Sequence, residues 1–299
     1  LRLDALRNTT VNIEGRYLLS TDYPGSPNVP LDVAKLPIFQ TFGTSLGVTQ
    51  RFNHFEVLAK ASYDRTIYND SELTDGSTSS NHDRDFNQYG GQLRGSYEVW
   101  PGVKPFVEIG VDTRQHDLQF DRNGFQRDST GVTPKVGTTF DIAKKFTGEV
   151  SIGYTDRQYA DPTLLPVQGV VYDALLKWEA TGLTTVTLNA NSQANESVVA
   201  GWSGALRRDI GIQVDHALRR WLIWTVRAGY GFDDYISNTC CGNGDPRSDK
   251  RVSLGSAITY KLSREIWLKG EYRYDQLRSN ATGVDYNANA FLVGLKLQR

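Results

Sequence analysis

The chain has 299 residues, of which 33 are Lys or Arg and 34 are Asp or Glu, giving a net charge of −1. That balance leaves no electrostatic footprint for nucleic acid and no polybasic membrane anchor. No stretch approaches the roughly 18 apolar residues of a membrane-spanning helix, whereas 15 Tyr, 6 Trp and 28 Gly suit a β-rich chain.

Alternation of apolar with polar residues marks extended strands, whose successive side chains point to opposite faces. The first segment sets Val11, Ile13, Gly15, Tyr17 and Leu19 against Asn12, Glu14 and Arg16. Phe42, Thr44, Leu46 and Val48 form the second, and Phe55, Val57, Ala59, Ala61 and Tyr63 the third. The fourth presents Tyr89 through Val99, the fifth Val107 through Thr113, and the sixth Val132 through Ile142. Pro134 removes a ladder donor from the sixth, so a bulge or gap is expected there. Phe146 through Tyr154 and Val170 through Trp178 follow. The ninth (Val186, Leu188, Ala190) and tenth (Ile210, Ile212, Val214) are shorter. Leu222 through Phe232, Val252 through Leu262, Ile266 through Tyr274 and Phe291 through Leu297 complete fourteen.

None of these apolar-face residues is charged, although charged residues make up 22% of the chain. A face without charge needs an apolar medium, since Lys or Arg at a bilayer midplane costs about 2–4 kcal/mol. Links are short near 51–54, 100–104, 143–145, 180–183, 218–220 and 263–265. They alternate with longer polar links over 22–37, 69–85, 121–128, 161–169, 197–205, 237–249 and 280–285. Short periplasmic turns and long external loops are the asymmetry of bacterial barrels. The expected fold is an all-β transmembrane antiparallel up-and-down barrel, one domain over 1–299, in the bacterial outer membrane with both termini periplasmic. The chain begins at Leu1, has no Met and shows no charged-then-apolar leader, as expected of mature or truncated material.

Aromatic girdles are expected at both interfaces. Phe55, Phe146, Trp178 and Trp224 fall at the periplasmic strand ends, beside turn residues Trp100, Trp221 and Trp267. Tyr17, Tyr63, Tyr154, Tyr172, Tyr230, Phe232 and Tyr274 fall at the outer ends. The opposite parity is expected to line a lumen. It carries Glu14, Arg16, Glu56, Lys60, Arg94, Glu98, Glu108, Asp112, Arg114, Lys135, Glu149, Asp173, Lys177, Arg227, Arg251, Lys269, Glu271, Arg273 and Asp275. Mixed signs suit cross-strand salt bridges around a weakly selective hydrated passage, because a strong filter needs rings of one sign. Segments 23–37 and 69–85 are the candidates for folding inward.

Catalytic and metal chemistry find little purchase. His116 beside Asp117 is read as a solvated rim histidine in preference to a proteolytic pair, and no nucleophile-elbow or zinc-protease motif occurs. The pairs Asp83 with Asp85 and Asp233 with Asp234 match no defined calcium loop. Neighbouring Cys240 and Cys241 are read as incidental loop thiols or a local bridge. Such a bridge is strained, because adjacent Cα atoms lie about 3.8 Å apart, below the usual range of about 4.4–6.8 Å. No cofactor or metal is expected.

Several stretches resemble the putative β-barrel porin 2 family of Gram-negative outer membranes: Ser45 through Asn53, Phe125 through Ser129, Leu183 through Leu188, Gly211 through His216, and Tyr272-Arg273-Tyr274 followed by Asp285-Tyr286. The similarity covers essentially the whole chain, which looks like the later part of such a barrel: either it is truncated from a product of 16–18 strands, or it closes with fewer. Membership implies an outer-membrane pore, and for some relatives a link to exopolysaccharide export with periplasmic partners. Three functions follow: a channel for hydrophilic solutes, an export pore, or a scaffold whose barrel is plugged or completed by a partner. Membrane lipid and lipopolysaccharide are the expected surroundings.

Overall fold

The computed structural model describes residues 2–6, 8–22, 26, 28–29, 32–199, 202–237 and 247–297. Fifteen strands form one antiparallel sheet, each hydrogen-bonded to the next in chain order. They are β1 (Arg2–Leu6), β2 (Thr9–Thr21), β4 (Ile38–Phe52), β5 (Phe55–Tyr68), β8 (Phe86–Tyr97), β9 (Val103–His116), β10 (Ser129–Ile142) and β11 (Phe146–Tyr159). Then come β12 (Val167–Thr181), β13 (Thr184–Glu196), β14 (Trp202–Arg219), β15 (Leu222–Ser237), β16 (Ser248–Lys261), β17 (Ile266–Ser279) and β18 (Tyr286–Leu297). A small second sheet, β3 (Val33–Lys35), β6 (Ser71–Leu73) and β7 (Thr78–Ser79), lies in two of the long loops. All fourteen expected strands are present, and short β1 is added at the edge. Cys240 and Cys241 lie outside the described residues.

The expected lengths of the ninth and tenth strands are corrected. β13 and β14 run 13 and 18 residues, and their pairing continues to Glu196 opposite Gly204. The link between them shrinks to 197–201. Ser192, Gln193 and Asn195 carry the ladder onward as polar residues on both parities, so apolar contrast vanishes while backbone pairing does not. Trp267, expected in a turn, is the second residue of β17, where Lys261 and Lys296 approach its ring at 4.5 and 4.7 Å. The gap at Pro134 is real: Thr133 and Pro134 pair with β9 but have no partner on β11.

Short turns are built from left-handed residues. Asn53 (φ 58°) turns β4 into β5, and Ala143 and Lys144 (φ 51° and 56°) turn β10 into β11. Positive φ matches the right-handed strand twist of tight hairpins.

The sheet curls so that one cavity is lined by β2 residues such as Glu14 and by β13 residues such as Gln193. The charged parity is therefore concave and the apolar parity convex. Convex residues are widely exposed, including Ile109, Ile152, Ile212, Leu254 and Ile258. Tyr17, Phe55, Tyr63, Tyr154, Trp178, Trp224 and Tyr230 are exposed on this face, while Phe146, Tyr172, Phe232 and Tyr274 are half-buried. Tyrosine hydroxyls bond to convex amides: Tyr63 to Asn87 at 2.9 Å and Tyr272 to Asn289 at 2.8 Å. The only cluster of mutually packed buried apolar residues among those described, Trp202, Ala205 and Tyr235, sits at the long-loop end. No pairing joins β1 to β18 among the described residues, and Phe291 and Val293 on β18 are 81% and 84% exposed.

Candidate functional site

Concave charges organise themselves across strands. In three rows an acid and an arginine bridge over a glycine on the strand between them. Arg16, Gly43 and Asp64 share one register row, with Arg16 Nη2 2.6 Å from Asp64 Oδ2. Asp112, Gly131 and Arg157 form a second, its ends ion-paired. Asp209, Gly231 and Arg251 form a third at 2.8 Å. A Cβ on Gly43 would stand 2.2 Å from Asp64 Oδ1 and 2.4 Å from Arg16 Nε. Two inter-strand spacings total about 9.6 Å, so long side chains meet only if the residue beneath has no side chain.

The remaining expected residues mostly pair as well. Arg94 reaches Glu149 at 2.7 Å and Glu108 at 2.6 Å while covering the Phe106 ring. Lys135 binds Asp173, Arg227 binds Glu271 at 3.1 Å, and Lys269 shares Glu271. Arg273 pairs with Asp275 at 2.7 Å and Lys177 with Glu179 at 3.0 Å. Glu56 lies between Arg51 and Lys104, and Glu98 accepts the Gly102 N–H in its turn. Glu14 and Lys60 line a cavity of about 380 Å³ and make no ion pair among the described residues. Asp64, Arg157, Asp209 and Glu196 were missing from the expected set. The first three are found by looking for a concave glycine in register, which requires knowing the pairing.

Above this cavity lies another of about 480 Å³, and Arg114 and Gln193 line both. At that boundary Glu196 accepts from Arg114 Nη1 at 3.1 Å and Ser129 Oγ at 3.0 Å, with His116 Nε2 at 3.2 Å. His116 is not the solvated rim residue expected: its side chain is 3% exposed. Its carboxylate partner is Glu196, and Asp117 instead pairs with Arg65. The neighbouring acids are likewise divided. Asp83 is held by Arg122 and Asp85 by His82, while Asp233 pairs with Arg251 and Asp234 with Arg208. Among the described residues no group of His, Cys, Asp and Glu is arranged to hold a metal.

The long loops lock together over the upper cavity. Asn28 Nδ2 donates to the Glu196 carbonyl at 3.3 Å, and Asn28 Oδ1 accepts from Val198 N at 3.0 Å and Ser197 Oγ at 3.2 Å. The wall between these loops runs from β4 through β13, so Asn28 spans the mouth. Arg84 binds Asp22 at 2.7 Å, and Asn123 Nδ2 donates to the Val198 carbonyl at 2.7 Å. Arg127 donates to the Trp202 and Val199 carbonyls. Burial pushes Asp83 upward, but the Arg122 hydrogen bonds and charge outweigh it and hold the carboxyl below its ordinary range. Of the two candidate inward segments, the first crosses the mouth at Asn28, and the second contributes Arg84, which holds Asp22 beside the strap.

An up-and-down antiparallel sheet, rolled around ion-paired charge and coated outside with uncharged apolar side chains, defines a bacterial outer-membrane β-barrel. Its fold is similar to that of the FrpB iron transporter from Neisseria meningitidis. The F3-3 variant matches with a TM-score of 0.55 and 9% identity, over 96% of this chain and 53% of that one. The F5-1 variant in its apoprotein form matches at 0.54 and 7%, over 91% and 49%. The chain thus spans about half the length of these structures, and such low identities carry the fold alone. None of the curated proteins compared with it matches. The chain belongs to the putative beta-barrel porin 2 family, whose model matches residues 1–299.

Proposed function

We propose that this barrel is a non-enzymatic channel for hydrophilic solutes, with the concave face as its hydrated wall and the interlocked loops as its outer constriction. The single observation that carries this reading is the pair of stacked polar cavities meeting at Arg114 and Gln193 beneath the Asn28 strap. Alternating ion pairs leave the wall near neutral, so selectivity is weak, with Glu14 and Lys60 among its uncompensated charges. Long loops then face outward and both termini face the periplasm, in one domain over 1–299. Aromatic residues line the upper cavity (Phe39, Tyr68, Phe86, Tyr235) but not the lower. A continuous aromatic track for a polysaccharide is not supported, and solute passage is preferred over export with periplasmic partners. A scaffold completed by a partner strand draws on one observation, that β1 and β18 do not pair with each other among the described residues, since unpaired backbone in lipid costs several kcal/mol per group. Conductance across a planar bilayer tests the channel. Discrete steps whose open fraction rises in Asn28→Ala support it, and silence in both proteins removes it.

A further inference from the structure

On the convex face, charge near the long-loop end is unevenly spread. Arg65 is neutralised by two hydrogen bonds to Asp117. Four adjacent strands, β14 to β17, instead align Arg208, Phe232, Lys250 and Arg278 in one register row. Directly beneath runs the row Ile210, Tyr230, Val252 and Gln276. The cationic row therefore stands two residues, about 6–7 Å along the strand, above the last apolar row with its interfacial tyrosine. That is headgroup height.

Lys250 and Arg278 are exposed, directly opposed cross-strand neighbours, and like charges so placed repel unless an anion sits between them. Lys250 has no carboxylate or hydrogen-bond partner among the described residues. Arg278 has one carboxylate neighbour, Asp285 at 3.9 Å, while its Nη1 donates to the Leu277 and Tyr286 carbonyls at 2.9 and 3.3 Å. Arg208 donates from Nη1 to Asp234 at 2.6 Å, which partly offsets its charge, and the Phe232 ring at 5.0 Å holds its guanidinium at one end of the row. We infer that Arg208, Lys250 and Arg278 form a docking site for the phosphate groups of an outer-leaflet lipid headgroup. Arginine presents paired donors to phosphate oxygens and lysine a compact charge beside them. The acyl chains of the same lipid run down over Ile210, Val252 and Leu254. This site rests on the reading above that the long loops face outward.

The test uses the refolded chain in detergent with two probes, a phosphorylated glucosamine-based lipid and its dephosphorylated counterpart, with retention read by native mass spectrometry. The wild-type protein should retain the phosphorylated lipid about tenfold or more over the other. Lys250→Gln with Arg278→Gln should bring that ratio close to one, while Lys144→Gln with Lys145→Gln at the short-turn end should leave it intact. Equal retention of the two lipids by the wild type overturns the inference without any variant, and so does an undiminished ratio in the folded double variant. Orientation is read separately in Thr282→Cys with both native cysteines changed to serine. Labelling of intact cells by a membrane-impermeant maleimide supports the outer leaflet. No labelling overturns that assignment whatever the lipid ratio shows.

Discussion

Replacing Gly131 by alanine tests how the concave wall is held. A Cβ there would stand 2.9 Å from Arg157 Nη2 and 3.0 Å from Asp112 Oδ1, so the two side chains must part. Arg157 is 6% exposed and Asp112 21%, which makes this a shielded, charge-assisted contact. Losing it costs about 1.5–3 kcal/mol. Alanine returns about 0.5–1 kcal/mol of backbone entropy in a strand, leaving a net loss of about 0.5–2.5 kcal/mol. At Gly43 the intrusion is closer, yet Arg16 is 59% exposed. That solvated pair is worth about 0.2–1 kcal/mol, so Gly43→Ala should come out near zero. Urea unfolding of the refolded barrel, followed by tryptophan fluorescence, measures both. A double-mutant cycle with Arg157→Gln should show the Gly131→Ala cost largely vanishing once the arginine is gone. Equal effects at the two glycines, or full additivity with Arg157→Gln, would refute the bridging argument.

Asn28→Ala removes three hydrogen bonds worth about 0.5–1.5 kcal/mol each. The closed–open equilibrium of single channels should therefore shift toward open by about tenfold or more, and an unchanged open fraction would mean the strap does not gate. Ile152 is 55% exposed in mid-β11; Ile152→Lys should destabilise the barrel in vesicles by about 2–4 kcal/mol, and neutrality there would place water on the convex face. His82 has its pKa raised by the hydrogen bond and charge of Asp85. A raised folded pKa stabilises fully below the unfolded value and is lost as pH rises through the folded one. Amide exchange in residues 69–85, corrected for intrinsic rates, should thus be slower near pH 5.5 than near pH 8.5, a window of roughly one to two units about the histidine range, and flat in His82→Gln. Asp83 does not confound this, because its depressed pKa withdraws stability only as pH falls below the ordinary carboxylate range.

The strand set was legible because lipid-facing positions such as Val107, Ile109 and Val111 admit no charge, which makes the period of two visible through a polar average. It failed where both faces are polar: Ser192 and Arg208 on one parity, with Gln193 and Arg207 on the other, extend β13 and β14 with little contrast to read. Lumen charges were legible by parity, but their partners were not. Arg16 meets Asp64 only through the register of two hairpins, and the role of Gly43 follows from that register alone. The mouth was named only as a choice of loops, since the contact of Asn28 with Val198 joins residues 170 apart in sequence. His116 looked solvated because nothing local reports that Glu196 covers it.

One measurement bears most directly on the hydrated passage. In protein with both native cysteines replaced by serine, Lys60→Cys on the concave face and Ala59→Cys on the convex face are exposed in turn to a charged methanethiosulfonate while single channels are recorded. Current should fall stepwise for Lys60→Cys and stay constant for Ala59→Cys. Block at Ala59→Cys, or at neither position in a conducting protein, would contradict the account.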